Sequence, residues 1–175
     1  MRIDTAMVLA AGLGTRMRPL TDDKPKPMVA LAGRTLLDRA LDRLADAAVR
    51  RTVVNTHYFA DVIHRHLAGR DGIVLSHEPD ILETGGGVRR ALPLLGDRPF
   101  FVVNSDAVWL DGPSPALSRL AAAWDDARMD ALLLLQPSGL DSVARHSGLQ
   151  APETRAAAAA ADTQISELLA CSGRG

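Results

Sequence analysis

The sequence predicts an α/β fold: a three-layer, Rossmann-like, mainly parallel sheet with helices on both faces. Three observations predict it. Short apolar runs alternate with longer stretches of helical periodicity, the pattern of strand–helix–strand units. The runs are apolar at successive positions, as strands covered on both faces require. The first run ends in a glycine turn, Gly12-Leu13-Gly14, at the place where such sheets bind ligands, beyond the carboxyl ends of their strands.

Taken in order, residues 5–9 form the first strand, around Ala6-Met7-Val8-Leu9. Residues 35–49 read as a helix, with Leu37, Leu41, Leu44 and Ala48 on one face and Asp38, Arg39, Asp42 and Arg43 mostly on the other. A second strand covers 51–55 around Val53 and Val54, and a second helix covers 58–67 on Phe59, Val62, Ile63 and Leu67. A third strand is expected at 72–76, a glycine loop at 83–87, a short helix at 88–95 and a fourth strand at 100–104. Residues 114–130 read as a helix with Pro115 near its first turn, a position proline favours. Residues 131–136, nearly continuous leucine, make a fifth strand.

From Pro137 onward the chain is rich in Ala, Ser, Arg and Gly and has no strand pattern. Six alanines at 156–161 precede Ile165, Leu168 and Leu169, and propensity alone gives one weak helix over 154–170. The expected division is therefore a core at 1–136 and an atypical alanine-rich tail at 137–175. The sheet edge near Leu132 needs a cover, from a second copy or from the alanine-rich helix, so monomer and homodimer both stay open.

Composition narrows the classes. Aromatic residues make up only 3%, so the core must be built from Ala, Leu and Val. A net charge of -1 argues against a nucleic-acid binder, which normally carries a basic excess. The single cysteine, Cys171, excludes an internal disulfide and suits a reducing compartment. Met1 to Asp4 lead directly into a strand, without the pattern of a signal peptide. No apolar run approaches the roughly 18 residues of a membrane span. A cytoplasmic protein with no membrane partner is expected.

The glycine turn carries the chemistry. Gly12 and Gly14 let the backbone approach a bulky anion with its N–H groups turned inward. Arg16 and Arg18 add fixed charge, and Lys26 adds a third cation between Pro25 and Pro27. Glycines, guanidinium and ammonium on one loop suit a polyphosphate. A dinucleotide fingerprint fails at Met17, where Gly or Ala is needed, and no Gly-Lys-Ser/Thr of a P-loop occurs. A nicotinamide-dependent oxidoreductase is thereby disfavoured.

Two further stretches belong with it. Asp106 follows the fourth strand, where one carboxylate with phosphate oxygens and water suits Mg²⁺. Asp111 is a weaker alternative and reads as a turn residue. Gly85-Gly86-Gly87, preceded by Thr84, allows a flat base to lie against the backbone, and Glu78 upstream could face the same base. Asn55 ends the second strand and could lie near a nucleotide or sugar, with Thr56 equally suited to a helix cap. His64 and His66 are two apart on a helix and diverge; His57, His77 and His146 are scattered. No Ser/His/Asp arrangement stands out, and Cys171 is a poor nucleophile candidate.

Leu9-Ala10-Ala11-Gly12-Leu13-Gly14-Thr15-Arg16-Met17-Arg18-Pro19-Leu20-Thr21 with Pro25-Lys26-Pro27 resembles the signature of the sugar-phosphate nucleotidyltransferases. Within that family the chain is most similar to the short bacterial N-acetylmuramate 1-phosphate uridylyltransferase-like enzymes. Other relatives act as mannose 1-phosphate guanylyltransferases or glucose 1-phosphate thymidylyl- or uridylyltransferases. The resemblance implies a nucleotide-diphospho-sugar transferase fold and a role in nucleotide-sugar biosynthesis, here peptidoglycan recycling. It also implies transfer of a nucleoside monophosphate from a triphosphate, UTP, to a sugar 1-phosphate, with Mg²⁺.

By residue, it implies that the amides of Ala11, Gly12, Gly14 and Thr15 cradle the triphosphate. Arg16 would hold the β- and γ-phosphates, Lys26 would neutralise the α-phosphate, and Asp106 would hold the metal. Thr84 and Gly85 would contact the base, with Glu78 nearby. The resemblance covers 6–136. Beyond it, Asp141 and Asp162 match no family position, and neither a second metal aspartate nor the sugar contacts can be placed. The tail reads as a shifted frame or a truncated gene. The expectation from another class is therefore a nucleotide-binding module with impaired catalysis.

Overall fold

The computed structural model describes residues 2–137 and 163–171. Strand β1 (Thr5–Leu9) is followed by two 3₁₀ turns, Thr15–Met17 and Lys26–Met28, and by a small hairpin of β2 (Ala30–Leu31) and β3 (Arg34–Thr35). Then come α1 (Leu36–Asp46), β4 (Arg51–Thr56), α2 (Ala60–Leu67), β5 (Ile73–His77), α3 (Glu83–Leu95), β6 (Phe100–Asn104), α4 (Ala116–Ala123), β7 (Ala131–Pro137) and β8 (Thr163–Cys171). The main sheet runs β5-β4-β1-β6-β8-β7. Strands β5, β4, β1 and β6 are parallel, and β8 lies antiparallel between β6 and β7.

Alternate residues of the parallel strands feed two cores. Ala6 and Val8 of β1, Val54 of β4, and Phe101 and Val103 of β6 face one side, where Leu37 and Leu44 of α1, Ile63 and Leu67 of α2, and Leu117 and Leu120 of α4 cover them. Met7, Val53, Phe100 and Val102 face the other side and meet Ala91 and Leu95 of α3. Both faces are therefore dry, which explains why these strands are apolar at consecutive positions. Among the described residues, alanine, leucine and valine supply most of this core, as the scarcity of aromatics required.

Helix α1 begins at a true cap: the Thr35 hydroxyl accepts the Asp38 N–H at 3.0 Å. Asp38 also ties α1 to α2, since Oδ1 lies 2.9 Å from His66 Nε2 and 2.8 Å from Arg70 Nη1. Burial pushes the Asp38 carboxyl up, but the hydrogen bonds of His66, Thr35 and Arg70, with the charge of His66, outweigh it and leave it below the ordinary aspartate range.

Four expectations need correction. Residues 83–87 are not a loop: they open α3, because a tight approach to the sheet, described below, overrides the poor helix propensity of three glycines. The helix expected over 114–130 stops at Ala123. Trp124 turns to extended backbone and is buried, and Asp125 Oδ1 accepts the Ala127 N–H at 3.0 Å, a local bond that competes with the helix. The second helix starts at Ala60 rather than Tyr58, since Phe59 sits at φ 48. The weak helix over 154–170 is replaced, where the structure describes it, by strand β8; residues 154–162 lie outside the described residues. Pairing with β6 and β7 offers this backbone two ladders at once, and tertiary pairing outweighs local propensity. One flank of β7 thus pairs with the chain's own β8, and β7 itself stands at the edge of the sheet. Among the described residues, no helix is long and apolar enough to cross a membrane.

Candidate active site

The chain leaves β1 for β4 and β5 on one side, then returns to β6 on the other. At this reversal the loops after β1 and β6 diverge and leave a crevice at the carboxyl ends of the strands, where open α/β sheets bind ligands. A cleft of about 500 Å³ lies there, well within the range of small-molecule sites.

Ala11, Gly12, Gly14, Thr15 and Arg16 of the first glycine loop line it, together with Lys26, Glu78, Thr84 and Asp106. Nine of the ten residues expected from the sequence thus share one cavity. Gly85 is not in its lining and lies on the first turn of α3. Arg18 is also absent from the lining: its guanidinium pairs with Asp22 at 3.5 Å on the exposed side of the loop. Asp111 serves structure, accepting the Ala116 N–H at 2.7 Å and pairing with Arg43 at 3.3 Å.

The loop after β1 is held from behind. Gly14 has φ 65, and a Cβ there would sit 3.0 Å from Lys26 Cβ and 3.2 Å from Thr21 Cγ2. Only glycine tolerates both the backbone and the crowding. The fully buried Thr21 donates its hydroxyl to the Gly14 carbonyl at 2.9 Å, and the Tyr58 hydroxyl donates to the Thr21 carbonyl at 3.2 Å. Gly12 is different: a Cβ there would meet nothing within 4 Å. Among the described residues, Ala11, Gly12 and Leu13 make no backbone hydrogen bond, although Ala11 is buried. Consecutive N–H groups left unpaired at a cleft are a ready anion site.

Lys26 opens the second 3₁₀ turn, its backbone preset by Pro25 and by the buried Pro27. Its Nζ reaches across the cleft to the Asp106 carboxylate, on the loop after β6. An ammonium and a carboxylate from distant parts of the chain therefore meet at the floor of the cleft. Glu78 is almost fully buried at 1% exposure. Its Oε1 accepts from Asn55 Nδ2 at 2.7 Å and its Oε2 from the Leu82 N–H at 3.2 Å. Asn55 Oδ1 in turn accepts the Ala10 N–H at 2.7 Å.

Sequence reasoning did not single out Glu83, which lines the cleft and is held at φ 57. A left-handed glutamate costs about 1–2 kcal/mol, and such strain gathers at functional sites; nothing in residue type or spacing announces it. Ser105 and Ile81 also line the cleft through the loops that carry Asp106 and Thr84.

The family described as the MobA-like NTP transferase domain matches residues 6–172. The chain belongs to this family. The match runs past Gln136, where the sequence pattern alone had ended the resemblance, and takes in β8. Among curated relatives, the family member from Caulobacter vibrioides named N-acetylmuramate alpha-1-phosphate uridylyltransferase is 53% identical over 137 residues, covering 74% of this chain and 57% of the relative. A protein of the same name from Neisseria meningitidis serogroup B is 44% identical, covering 59% of this chain and 47% of the relative. The chain spans about half the length of the curated relatives it matches. A UDP-glucose pyrophosphorylase from Acinetobacter baumannii superposes with a TM-score of 0.80 at 19% identity, over 98% of this chain and 75% of that one. That likeness establishes the nucleotidyltransferase fold.

Proposed function

We propose that the chain carries the nucleotide-binding and reacting half of a nucleotidyltransferase that moves UMP from UTP to N-acetylmuramate 1-phosphate, releasing pyrophosphate. One observation carries this reading: unpaired loop amides, Arg16, Lys26 and Asp106 converge on a single cleft in a MobA-like NTP transferase domain. The choice of uracil and of the muramyl sugar follows the 53% and 44% identities to the two uridylyltransferases, against 36% to a mannose-1-phosphate guanylyltransferase subunit from Danio rerio.

An oxygen of the sugar 1-phosphate attacks the α-phosphorus of the triphosphate. The bond from that phosphorus to the bridging α–β oxygen breaks, and its electron pair leaves with pyrophosphate. Such a reaction asks the protein for position and charge rather than covalent chemistry. The amides of Ala11, Gly12, Gly14 and Thr15 hold the triphosphate in line. Arg16, exposed at the mouth of the cleft, takes the departing β- and γ-phosphates. Lys26 neutralises charge around the α-phosphorus, and Thr84 at the start of α3 contacts the base, with Gly85 behind it.

The donor set fits Mg²⁺. Among the described residues no group of three or more metal-ligating side chains occurs, so no all-protein cage is offered. Asp106, beside Lys26 and the glycine loop, offers one carboxylate to an ion that keeps water and phosphate oxygens in its shell. Bound there, the metal supplies charge neutralisation on phosphate oxygens. Asp106 would hold it, and Lys26, now paired with Asp106, would be free to turn to the phosphate.

Pyrophosphate release, followed with a panel of triphosphates and sugar 1-phosphates plus Mg²⁺, tests the reading. Release with UTP and N-acetylmuramate 1-phosphate is expected. Binding of UTP without release from any pair would identify a nucleotide-binding module instead. Absence of binding would remove both.

A further inference from the structure

In the wall of the cleft, three separated parts of the chain are joined by one line of hydrogen bonds. The Ala10 N–H donates to Asn55 Oδ1 at 2.7 Å, Asn55 Nδ2 donates to Glu78 Oε1 at 2.7 Å, and the Leu82 N–H donates to Glu78 Oε2 at 3.2 Å. Ala10 begins the loop after β1, Asn55 ends β4, and Leu82 is the residue from which α3 starts. Ala10, Asn55 and Glu78 are 2%, 3% and 1% exposed. A buried carboxylate needs its oxygens satisfied, and among the described residues no cation pairs with Glu78. Its partners are the amide of Asn55 and the N–H of Leu82, the residue that caps α3, near the helix end whose dipole favours negative charge.

Gly87 belongs to the same device. A Cβ there would stand 2.8 Å from Glu78 Oε1 and 2.9 Å from Asn55 Nδ2. The third glycine of Gly85-Gly86-Gly87 is therefore needed by this buried line. A flat base lying on the backbone is not what requires it.

We propose that Asn55 and Glu78 are positioning residues that fix the phosphate loop and the start of α3 at one separation, so that filling the phosphate loop orders the base-facing wall. The inference rests on the reading of the cleft as a triphosphate site. It reassigns Glu78: with both oxygens used inside the protein, it acts through Leu82 rather than by touching the base.

The polarity of the line supplies the test. In Glu78→Gln, the amide at position 78 can serve Asn55 or Leu82 but leaves one donor facing another. In Asn55→Asp, two buried carboxylates face each other. In the double variant Asn55→Asp with Glu78→Gln, every bond returns with the central one reversed: the carboxylate at 55 accepts from Ala10 and from the amide at 78, whose oxygen accepts from Leu82. Each single variant is expected to raise the KM for UTP at least tenfold and to speed amide exchange at Ala10 and Leu82 at least tenfold. The double variant is expected to recover both to within about threefold of the unmodified protein.

Inorganic tripolyphosphate with Mg²⁺, which has no base, is expected to slow Leu82 exchange at least fivefold in the unmodified protein and in the double variant, and in neither single variant. A Glu78→Gln variant with normal KM and exchange, or a double variant no better than the singles, would overturn the proposal. If neither single variant folds, a folded double variant supports it and an unfolded one defeats it. Should the unmodified protein bind neither tripolyphosphate nor UTP, the triphosphate reading falls, while ligand-free exchange at Ala10 and Leu82 in the three variants still judges the brace.

Discussion

The two glycines of the loop after β1 make opposite predictions on replacement by alanine. At Gly14 the backbone has φ 65, which costs a Cβ-bearing residue about 1–2 kcal/mol. The added methyl would also lie 3.0 Å from Lys26 Cβ and 3.2 Å from Thr21 Cγ2, and overpacking of that kind costs about 1–3 kcal/mol. Gly14→Ala should therefore lose roughly 2–5 kcal/mol, a fall in Tm of roughly 4–20 °C for a chain of this size.

At Gly12 no protein atom lies within 4 Å of the added carbon and φ is outside the left-handed range. Gly12→Ala should keep its stability or gain about 0.4–1 kcal/mol from a stiffer unfolded chain. On the proposed reading of the cleft, the methyl nonetheless stands where a phosphate approaches the backbone. Losing one hydrogen bond to a charged group, about 1.5–3 kcal/mol, weakens binding roughly 10- to 150-fold. Thermal unfolding followed by circular dichroism, with isothermal titration of Mg²⁺–UTP, reads both effects. A Gly12→Ala protein that binds UTP as tightly as the unmodified chain would refute the reasoning. So would one that unfolds as early as Gly14→Ala.

Two other changes probe separate parts of the molecule. Lys26→Ala should remove most turnover, at least about 100-fold if it acts as one charge-assisted contact at the reacting phosphate. It should leave the circular dichroism spectrum intact, since its ion pair with Asp106 is only partly buried and stays open to screening by water, which holds such pairs to about 1 kcal/mol; unchanged turnover would defeat the assignment. Asp38 titrates below the ordinary aspartate range when folded, so its stabilising share is complete above the unfolded pKa, near pH 4, and is lost as pH falls through the lower folded value. Asp38→Asn should therefore be less stable near pH 7 and show a shallower acid limb below about pH 4 in urea unfolding; parallel acid limbs in the two proteins would count against it.

Residue order alone determined the alternation of buried strands with amphipathic helices, because a strand dry on both faces must be apolar throughout and a surface helix must carry one apolar stripe. It also determined the chemistry of the first loop, since Gly12, Gly14, Arg16 and Lys26 lie close together in the chain. Tertiary structure decided what depends on partners far away in sequence. The start of α3 is helical despite its glycines because Gly87 must pass close to Asn55 and Glu78. Residues 163–171 are a strand because β6 and β7 stand on either side of them. Glu78 is turned inward because Asn55, 23 positions away, and Leu82 claim its two oxygens. Local propensity is a few tenths of a kcal/mol per residue, whereas an unsatisfied buried polar group costs about 1–3 kcal/mol, so wherever the two disagreed, the packed structure set the outcome.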